Sequence, residues 1–445
     1  MSIEPTAPPG SASISEPEPE PAPARRARRG GLLHHHDFRQ LFLAKATSST
    51  GSQLTVLALP VLAVQVLGAQ EFEMGLLGTF EFLAFLVVGL PAGAWIDRWR
   101  RKRVLVANDL IRAAALATLP LAWALDALTF VHVLVVALVV GTCTVFFDVA
   151  DQSYLPEIVE VHQIGEGNAK LQAAESVAMI GGPALAGGLI RLIGSTLTIG
   201  LDALTFLGSA VFVSRIRHLD EPPPREERRP LRDEIAEGVS FVVRDPLLWR
   251  ITACTGISNL FGSITGAMFV LFALRDLGLS PGQLGLTFGV GAVGGLVGAL
   301  STPAVNRVLG EGRTIPLMSL VFIPAGILVP LAGTVIPAMV ALTISNLLIT
   351  FLVVVYNVTQ VSFRQRLCPR PLLGRMNASI RFVVWGCMPI GAFVGGVLGE
   401  AIGPRNVFWV GVVGSAIGAL PVVLSPLITM GDLPKELDRL SSDVA

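Results

Sequence analysis

The stretch GAWIDRWRRKR, residues 93–103, closes a long apolar segment and decides how the chain is organised. The run 74–96 carries one charge, Glu81, and is followed by Asp97 and then by five arginines and lysines within six residues. A helix needs about 20 apolar residues to cross a bilayer core, and clustered Lys and Arg stay on the cytoplasmic side. The stretch therefore predicts a membrane-crossing helix that ends at the cytoplasmic surface.

The composition of the whole chain agrees with this interpretation. Its 445 residues are 52% hydrophobic and 15% charged, with a mean hydropathy of +0.65, as expected of an integral membrane protein. A net charge of zero gives no reason to expect a nucleic-acid partner. The four cysteines have neither the spacing of a disulfide framework nor that of a metal site. The histidine tract at residues 34–36 is not expected to bind a metal. We find no phosphate-binding loop and no nucleophile–base pair, so we expect neither an enzyme nor a cofactor.

Apolar runs long enough to cross a membrane occur twelve times, in two sets of six. We number these spans 1 to 12; they cover residues 41–65, 74–96, 104–125, 129–149, 172–193, 197–213, 247–273, 283–305, 314–332, 336–356, 382–402 and 407–429. We expect a disordered tail at 1–37, because its first part is rich in Pro, Glu and Ser. A first bundle follows at 38–215, a linker with a short amphipathic helix at 216–245, a second bundle at 246–430 and a second tail at 431–445.

The distribution of positive charge predicts the orientation. With the N-terminus in the cytoplasm, three of the 33 lysines and arginines (Arg191, Arg275 and Arg405) lie outside, two (Arg112 and Arg381) lie within helices, away from either surface, and the remaining 28 lie on or near the cytoplasmic side. The opposite orientation would reverse this ratio. We therefore expect a multi-pass protein of the plasma membrane with both termini in the cytoplasm.

The two sets of spans are related by an internal duplication. Residues 165–194 align without gaps on 374–403, at an offset of 209 (374 less 165), with nine identities in thirty. The same offset places Asp97 on Asn306 and Asp148 on Asn357. A parallel repeat of six helices, joined by a long cytoplasmic loop, is an organisation of secondary transporters.

These features resemble the major facilitator superfamily. Residues 93–105 are similar to its signature loop between the second and third helices, with Arg100 where glycine is usual. MIGGPALAGGL, residues 179–189, resembles the Gly-Pro motif of its antiporters, with Ala186 replacing a glycine. FFDVADQSYLPEIV, GNAKLQAAESVA and LDALTFLGSA are similar to a branch of macrolide-efflux and enterobactin-export proteins. The resemblance implies an all-α membrane fold and export of small molecules.

The resemblance also implies a cytoplasmic gate, in which the acid of the signature loop and its basic neighbours bridge to helices four and eleven. The residues that match this gate are Gly93, Asp97, Arg98, Arg101 and Lys102, and the candidate partners are Asp148, Arg375 and Arg381. A carboxylate at a helix C-terminus is unfavourable by itself, so Asp97 needs such partners. A solvated loop acid is the alternative.

The Gly-Pro stretch has a packing rationale as well. Gly181, Gly182, Gly187 and Gly188 allow another helix to approach, while Pro183 kinks its helix and frees a carbonyl. The resemblance implies that this kink seals the pocket of an exporter against leakage. Helix packing alone would require the same residues.

Several ionisable residues fall inside the spans, where charge is costly. Glu81 has no cation at i±3 or i±4 and is our first candidate for proton coupling, followed by Glu175 and Asp109. We expect Asp109 to pair with Arg112, and Asp202 to cap or pair near the outer end of span 6. Arg381 is the one deep cation expected in the second half.

Polar and aromatic residues of the predicted cavity suggest a bulky, amphiphilic substrate. The candidates are Gln53, Thr55, Phe80 and Phe82 in the first half and Asn259, Phe261, Asn346 and Asn357 in the second. We expect a monomeric proton-coupled exporter of a drug-like or siderophore-like molecule, with substrate, protons and the lipid bilayer as its partners. An importer or facilitator of a small metabolite, or a non-transporting receptor, remains the alternative.

Overall fold

The computed structural model describes residues 31–96, 99–218, 231–369 and 372–431. Within these ranges the chain is built of helices, without a strand. The helices are α1 His36–Gln65, α2 Glu71–Val87, α3 Gly89–Ile96, α4 Arg101–Ala124, α5 Phe130–Ile158, α6 Ile164–Ser214, α7 Leu231–Arg244, α8 Leu248–Leu271, α9 Pro281–Leu309, α10 Glu311–Leu331, α11 Ala338–Leu367, α12 Leu373–Ile402 and α13 Pro404–Val423. The expectations for the N-terminal 30 residues, for Asp97 and Arg98, and for the C-terminal tail beyond residue 431 lie outside the described residues.

Nine helical segments of the described chain are long and apolar enough to cross a bilayer. One of them, α6, has 51 residues, and its backbone leaves the helical region at Gly194, with φ +84°. A straight helix of that length would measure roughly 75 Å, far more than a bilayer core, so α6 contains spans 5 and 6. Span 1 corresponds to α1, and span 2 corresponds to α2 and α3, which are separated at Val88. The described chain therefore contains the twelve predicted spans of an all-α membrane fold.

The backbone of the described chain shows the duplication directly. Gly194 and Gly403, which the offset of 209 aligns, have φ values of +84° and +81° and separate the last two spans of each half. Gly68 and Gly278 have φ values of +68° and +63° and follow the first span of each half. Glycine adopts this left-handed backbone at low cost. The two halves thus turn in the same way at equivalent positions.

Glycines bring the two halves into close contact at two equivalent places. A Cβ on Gly75 of α2 would lie 2.4 Å from the Cα of Gly396 in α12. A Cβ on Gly187 of α6 would lie 2.7 Å from the carbonyl oxygen of Pro281 and 3.0 Å from the Cα of Gly285 in α9. Gly187 and Gly396 are aligned by the repeat. Small residues permit such close helix crossings in membranes.

One arginine adds a polar connection at the same end of the bundle. Arg275, which follows α8, donates hydrogen bonds to the side-chain oxygen of Gln70 and to the carbonyl oxygen of Ala69, each at 2.9 Å. We call the two glycine crossings and Arg275 together the outer seam, a name taken from the predicted orientation of the chain. The outer seam joins the first half to the second.

Candidate functional site

A cavity of about 330 Å³ lies between the two halves, beside the outer seam. Its walls come from α2, α8 and α12, with Pro60 of α1. Most of the lining is apolar, and the polar side chains among it are Glu81, Asn259 and Ser263. Phe82 also lines this cavity. The structure therefore brings together Glu81, Phe82 and Asn259, three residues that the sequence analysis selected separately.

Glu81 is the charged residue of this cavity. In the described part of the chain, no hydrogen bond or ion pair within the usual distances reaches its carboxylate. The backbone at this position is held closely, because a Cβ on Gly141 of α5 would lie 2.4 Å from the Glu81 carbonyl oxygen. Asn259 of the opposite half is oriented by a hydrogen bond to the carbonyl oxygen of Val384 at 3.1 Å. The cavity thus holds a carboxylate from one half and an oriented amide from the other.

Asp109 and Arg112 form the predicted ion pair in the interior of the first half. Their closest atoms, Asp109 Oδ1 and an Arg112 guanidinium nitrogen, are 2.5 Å apart. The guanidinium also lies 4.3 Å and 4.2 Å from the ring centroids of Phe147 and Phe206. Cation–π contacts of this kind are strong when water is excluded. Arg112 is therefore held by an ion pair with Asp109 and by two aromatic rings, and Asp109 already has a cationic partner.

Asp202 is buried within the first half, where it accepts hydrogen bonds from two threonines. The donors are the hydroxyl groups of Thr55 in α1 and, at 2.9 Å, Thr205. Gly51 makes room for this arrangement, since a Cβ there would overlap the Thr205 side chain. Asp202 is fully buried, and its hydrogen bonds link α1 to α6.

A further cluster surrounds Lys45 in α1, a residue that the sequence analysis overlooked. Its ammonium nitrogen lies 3.0 Å from a carboxylate oxygen of Asp151 and 4.0 Å from one of Glu175. Asp148 lies within electrostatic range of the same ammonium group. A lone lysine near the start of span 1 was the signal that could have identified it. Glu175 therefore has a cationic neighbour, unlike Glu81.

The described gating candidates contact several different elements. Arg101 forms an ion pair with Glu157 of α5, and Lys102 donates to the carbonyl oxygen of Ile216. Arg375 pairs with Glu237 of α7 at 2.6 Å. Gly93 lies in α3. Glu157 was not selected from the sequence; it follows the proline at the end of the stretch FFDVADQSYLPEIV.

The second half contains a buried arginine, Arg364, that was not predicted from the sequence. Arg381 is exposed in the chain, with its guanidinium 5.3 Å from the ring centroid of Trp385. Arg364 of α11 is the buried arginine there, at 7% exposure. That Arg381 lies deep in the membrane stays a prediction, since exposure to solvent does not report depth in the bilayer. The apolar run of span 10 stops at residue 356, so the sequence predicts that Arg364 lies in a loop.

The glycines of the Gly-Pro motif fall into two structural classes. Gly182 faces α1, where a Cβ would lie 2.4 Å from the Cβ of Gln53, and Gly187 faces α9 at the outer seam. A Cβ on Gly181 or Gly188 would meet no described atom within 4 Å. The carbonyl oxygen of Pro183 also contacts α9, at 2.5 Å from a Cβ built on Gly285. One face of the motif therefore packs against α1 within the first bundle, and another face packs against α9 of the second half.

The other pocket candidates make packing contacts or hydrogen bonds and do not line the cavity. Phe80 packs against the main cluster of buried apolar side chains. The ring of Phe261 packs directly on Gly414, where a Cβ would overlap it. Asn346 donates to the carbonyl oxygen of Thr287 at 3.1 Å, and the Asn357 side chain accepts from Gln360 at 3.4 Å.

Comparisons with known proteins agree with this architecture. The family model described as Major Facilitator Superfamily matches residues 41–388. The chain is 26% identical over 381 residues to the multidrug efflux pump Tap of Mycolicibacterium fortuitum, covering 83% of this chain and 90% of that protein. It is 23% identical over 377 residues to macrolide efflux protein A of Streptococcus pyogenes, covering 83% and 91%.

A solved structure supports the fold. The crystal structure of a bacterial homologue of the iron transporter ferroportin in its inward-facing state superposes with a TM-score of 0.70, at 17% identity, and covers 88% of this chain and 99% of that one. The family and these relatives are transporters, which confirms the expectation that the protein is not an enzyme. Because the family model matches most of the chain and the fold is a duplicated set of twelve spans, this chain belongs to the major facilitator superfamily.

Proposed function

We propose that this transporter exports an amphiphilic, drug-like or natural-product molecule in exchange for protons, by alternating access between two six-helix bundles. The observation that carries the proposal is Glu81, a carboxylate without a described partner in the cavity between the halves. The relatives named as efflux pumps support the direction of transport.

Glu81 has the properties that a coupling site needs. A charged carboxylate at the centre of a membrane helix costs roughly 2.5–3.5 kcal/mol on insertion scales. Without a neighbouring cation, this cost is relieved by a bound proton, by water or by a cationic group of the substrate. Proton and substrate can therefore compete for one site, which is the basis of exchange. Asp109 and Glu175 are weaker candidates, because Arg112 and Lys45 already compensate them.

The lining of the cavity indicates the class of substrate. Apolar side chains from both halves surround a few polar groups, with Glu81 and Asn259 on opposite sides. Ligand sites of this type bind apolar molecules and orient them by a small number of polar contacts. We infer a substrate with a large apolar surface and a cationic or hydrogen-bonding group.

Inside-out membrane vesicles test this function. With an acidic lumen, wild-type vesicles should accumulate a fluorescent lipophilic cation, because protons leaving through the transporter drive substrate inward. A protonophore should remove the accumulation. Accumulation that persists after the pH gradient is collapsed would show that the driving force lies elsewhere.

The outer seam is proposed to be the closure on the external side. Loss of Arg275 removes two hydrogen bonds from a charged donor across the halves, each worth roughly 1.5–3 kcal/mol. We expect Arg275→Ala to increase the reaction rate of an external maleimide with Met74→Cys, a cavity position, by about tenfold or more. Arg405→Ala is the matched control, because Arg405 donates to the carbonyl oxygens of Pro330 and Ala332 within its own half. Equal rates in the two variants would contradict this role.

The inner gate is proposed to include Asp97 and its basic neighbours, which the resemblance indicated. Support comes from the second half, where Asn306, the repeat equivalent of Asp97, accepts a hydrogen bond from Thr359 of α11 at 3.0 Å. This contact joins span 8 to span 10, as a contact of Asp97 with span 4 would join the equivalent helices. The ion pair between Arg101 and Glu157 belongs to the same end of the first bundle.

We further propose that both termini and the linker are cytoplasmic and that a monomer in the plasma membrane is the functional unit. A cysteine placed at Ser2 or Glu226 should not react with an impermeant maleimide in intact cells, because the positively charged loops retain these segments inside. It should react after the cells are permeabilised. Efficient labelling in intact cells would contradict the proposed topology and indicate the opposite orientation.

A further inference from the structure

A second cavity lies away from Glu81, at the opposite end of the second bundle from the outer seam. It is an open groove of about 620 Å³ between α8 and α12, and α7 covers one end of it. Its walls are mainly apolar and include Val242, Trp249, Ile257, Leu260, Ile380 and Val383.

The groove follows from the way in which the two helices cross. A Cβ on Gly391 or Gly395 of α12 would lie 2.4 Å from a carbonyl oxygen of α8, so the helices touch there. Towards α7 they diverge, and the nearest atom to a Cβ on Gly256 is in Val383, at 3.9 Å. α7 itself is amphipathic, and its Glu237 pairs with Arg375 of α12.

The length of the groove matches one leaflet of a bilayer. Its lining on α8 runs from Trp249 to Leu260, which is roughly 16 Å of helix. This is about half of a hydrocarbon core of about 30 Å. Trp249 lies at the start of α8. Tryptophan is enriched at the membrane–water interface, which is where the start of a membrane-crossing helix lies.

Polar groups lie at the mouth of the groove and match a phospholipid headgroup. Arg244 and Arg250 directly follow two lining residues, Val243 and Trp249, in the sequence, and neither arginine forms an ion pair in the described part of the chain. Asp245, between them in the sequence, accepts hydrogen bonds from the backbone nitrogens of Leu247 and Leu248. Thr252, at 7% exposure, lines the groove, and its hydroxyl has no partner among the described residues.

We propose that this groove binds an anionic phospholipid from the inner leaflet. An acyl chain lies along the apolar walls, the phosphate is bound by Arg244 and Arg250, and the Thr252 hydroxyl donates to an ester carbonyl of the glycerol. Basic sites at the cytoplasmic ends of membrane helices bind such headgroups. The bound lipid holds α7 against α8 and α12. The choice of leaflet rests on the proposed topology, whereas the site is independent of proton coupling.

Cys387 provides a reporter for this site in the unmodified chain. It lines the groove, and the other three cysteines are buried. Full-length protein is reconstituted in nanodiscs of phosphatidylcholine with increasing phosphatidylglycerol, and the rate of N-ethylmaleimide addition to Cys387 is measured by mass spectrometry. Phosphatidylglycerol should slow the reaction. In R244A/R250A, roughly 30-fold more of this lipid should be needed for the same protection.

Two further variants make the result specific. R39A/R307A removes two exposed arginines elsewhere and should retain the protection, as should R244K/R250K, which keeps both charges. Equal protection by phosphatidylcholine alone, or unchanged protection in R244A/R250A, would overturn the proposal. Protection by a transported drug but not by phosphatidylglycerol would also overturn it, and would identify the groove as a substrate entrance.

Discussion

Replacement of Glu81 by glutamine should abolish drug accumulation driven by a pH gradient, while downhill exchange of the drug persists. Glutamine mimics the protonated acid with almost the same volume, so the packing of α2 against α5 near Gly141 should survive. The variant can bind substrate but has no site that alternates between proton and substrate. Accumulation in inside-out vesicles with an imposed pH gradient, compared with counterflow exchange at equal pH, separates the two activities.

Glu400→Gln is the matched control, because Glu400 is an exposed carboxylate at the far end of α12. It should accumulate the drug like the wild type. If Glu81→Gln vesicles retained uphill transport with normal pH dependence, the coupling site would lie elsewhere, and Glu175 or Asp109 would become the next residue to replace.

Replacement of Gly187 by alanine should reduce transport strongly, whereas the same change at Gly188 should have little effect. The new methyl group at position 187 would lie 2.7 Å from the carbonyl oxygen of Pro281, so the outer seam cannot close as it does in the structure. At position 188 it would meet no described atom within 4 Å. Overpacking costs of about 1–3 kcal/mol would shift the balance between closed and open seams by roughly 5- to 150-fold.

Initial rates of drug transport measure this effect, and external labelling of Met74→Cys in each background reports the state of the outer seam. Gly187→Ala should combine low transport with increased labelling. Low transport with unchanged labelling would instead indicate damage within the first bundle. Equal transport in the two variants would show that closure of the outer seam is not part of the transport mechanism.

Much of the architecture could be predicted because hydropathy and charge act along the chain. Twelve apolar runs, the duplication and the turn between spans 5 and 6 at Gly194 all leave local signals. The ion pair of Asp109 with Arg112 was also predictable, because residues at i and i+3 share a helix face.

The site was only partly predictable, because its contacts depend on how each helix is rotated about its axis. Lys45 meets Asp151 and Glu175 across three helices, and no spacing in the sequence reports this. Gly187 and Gly188 are neighbours of the same type, yet one faces α9 and the other does not. Phe82 and Asn259 line the cavity, whereas Phe261 packs on α13. Such differences arise from tertiary packing.

The central claim is that drug export and proton entry are coupled through Glu81. Its most direct test is proton movement in proteoliposomes that contain a pH-sensitive dye and start at equal pH on both sides. An outward gradient of drug across wild-type protein should drive protons inward and acidify the lumen, and Glu81→Gln should show drug flux without acidification. Drug flux through the wild type without proton movement, or with protons travelling in the same direction as the drug, would contradict the account.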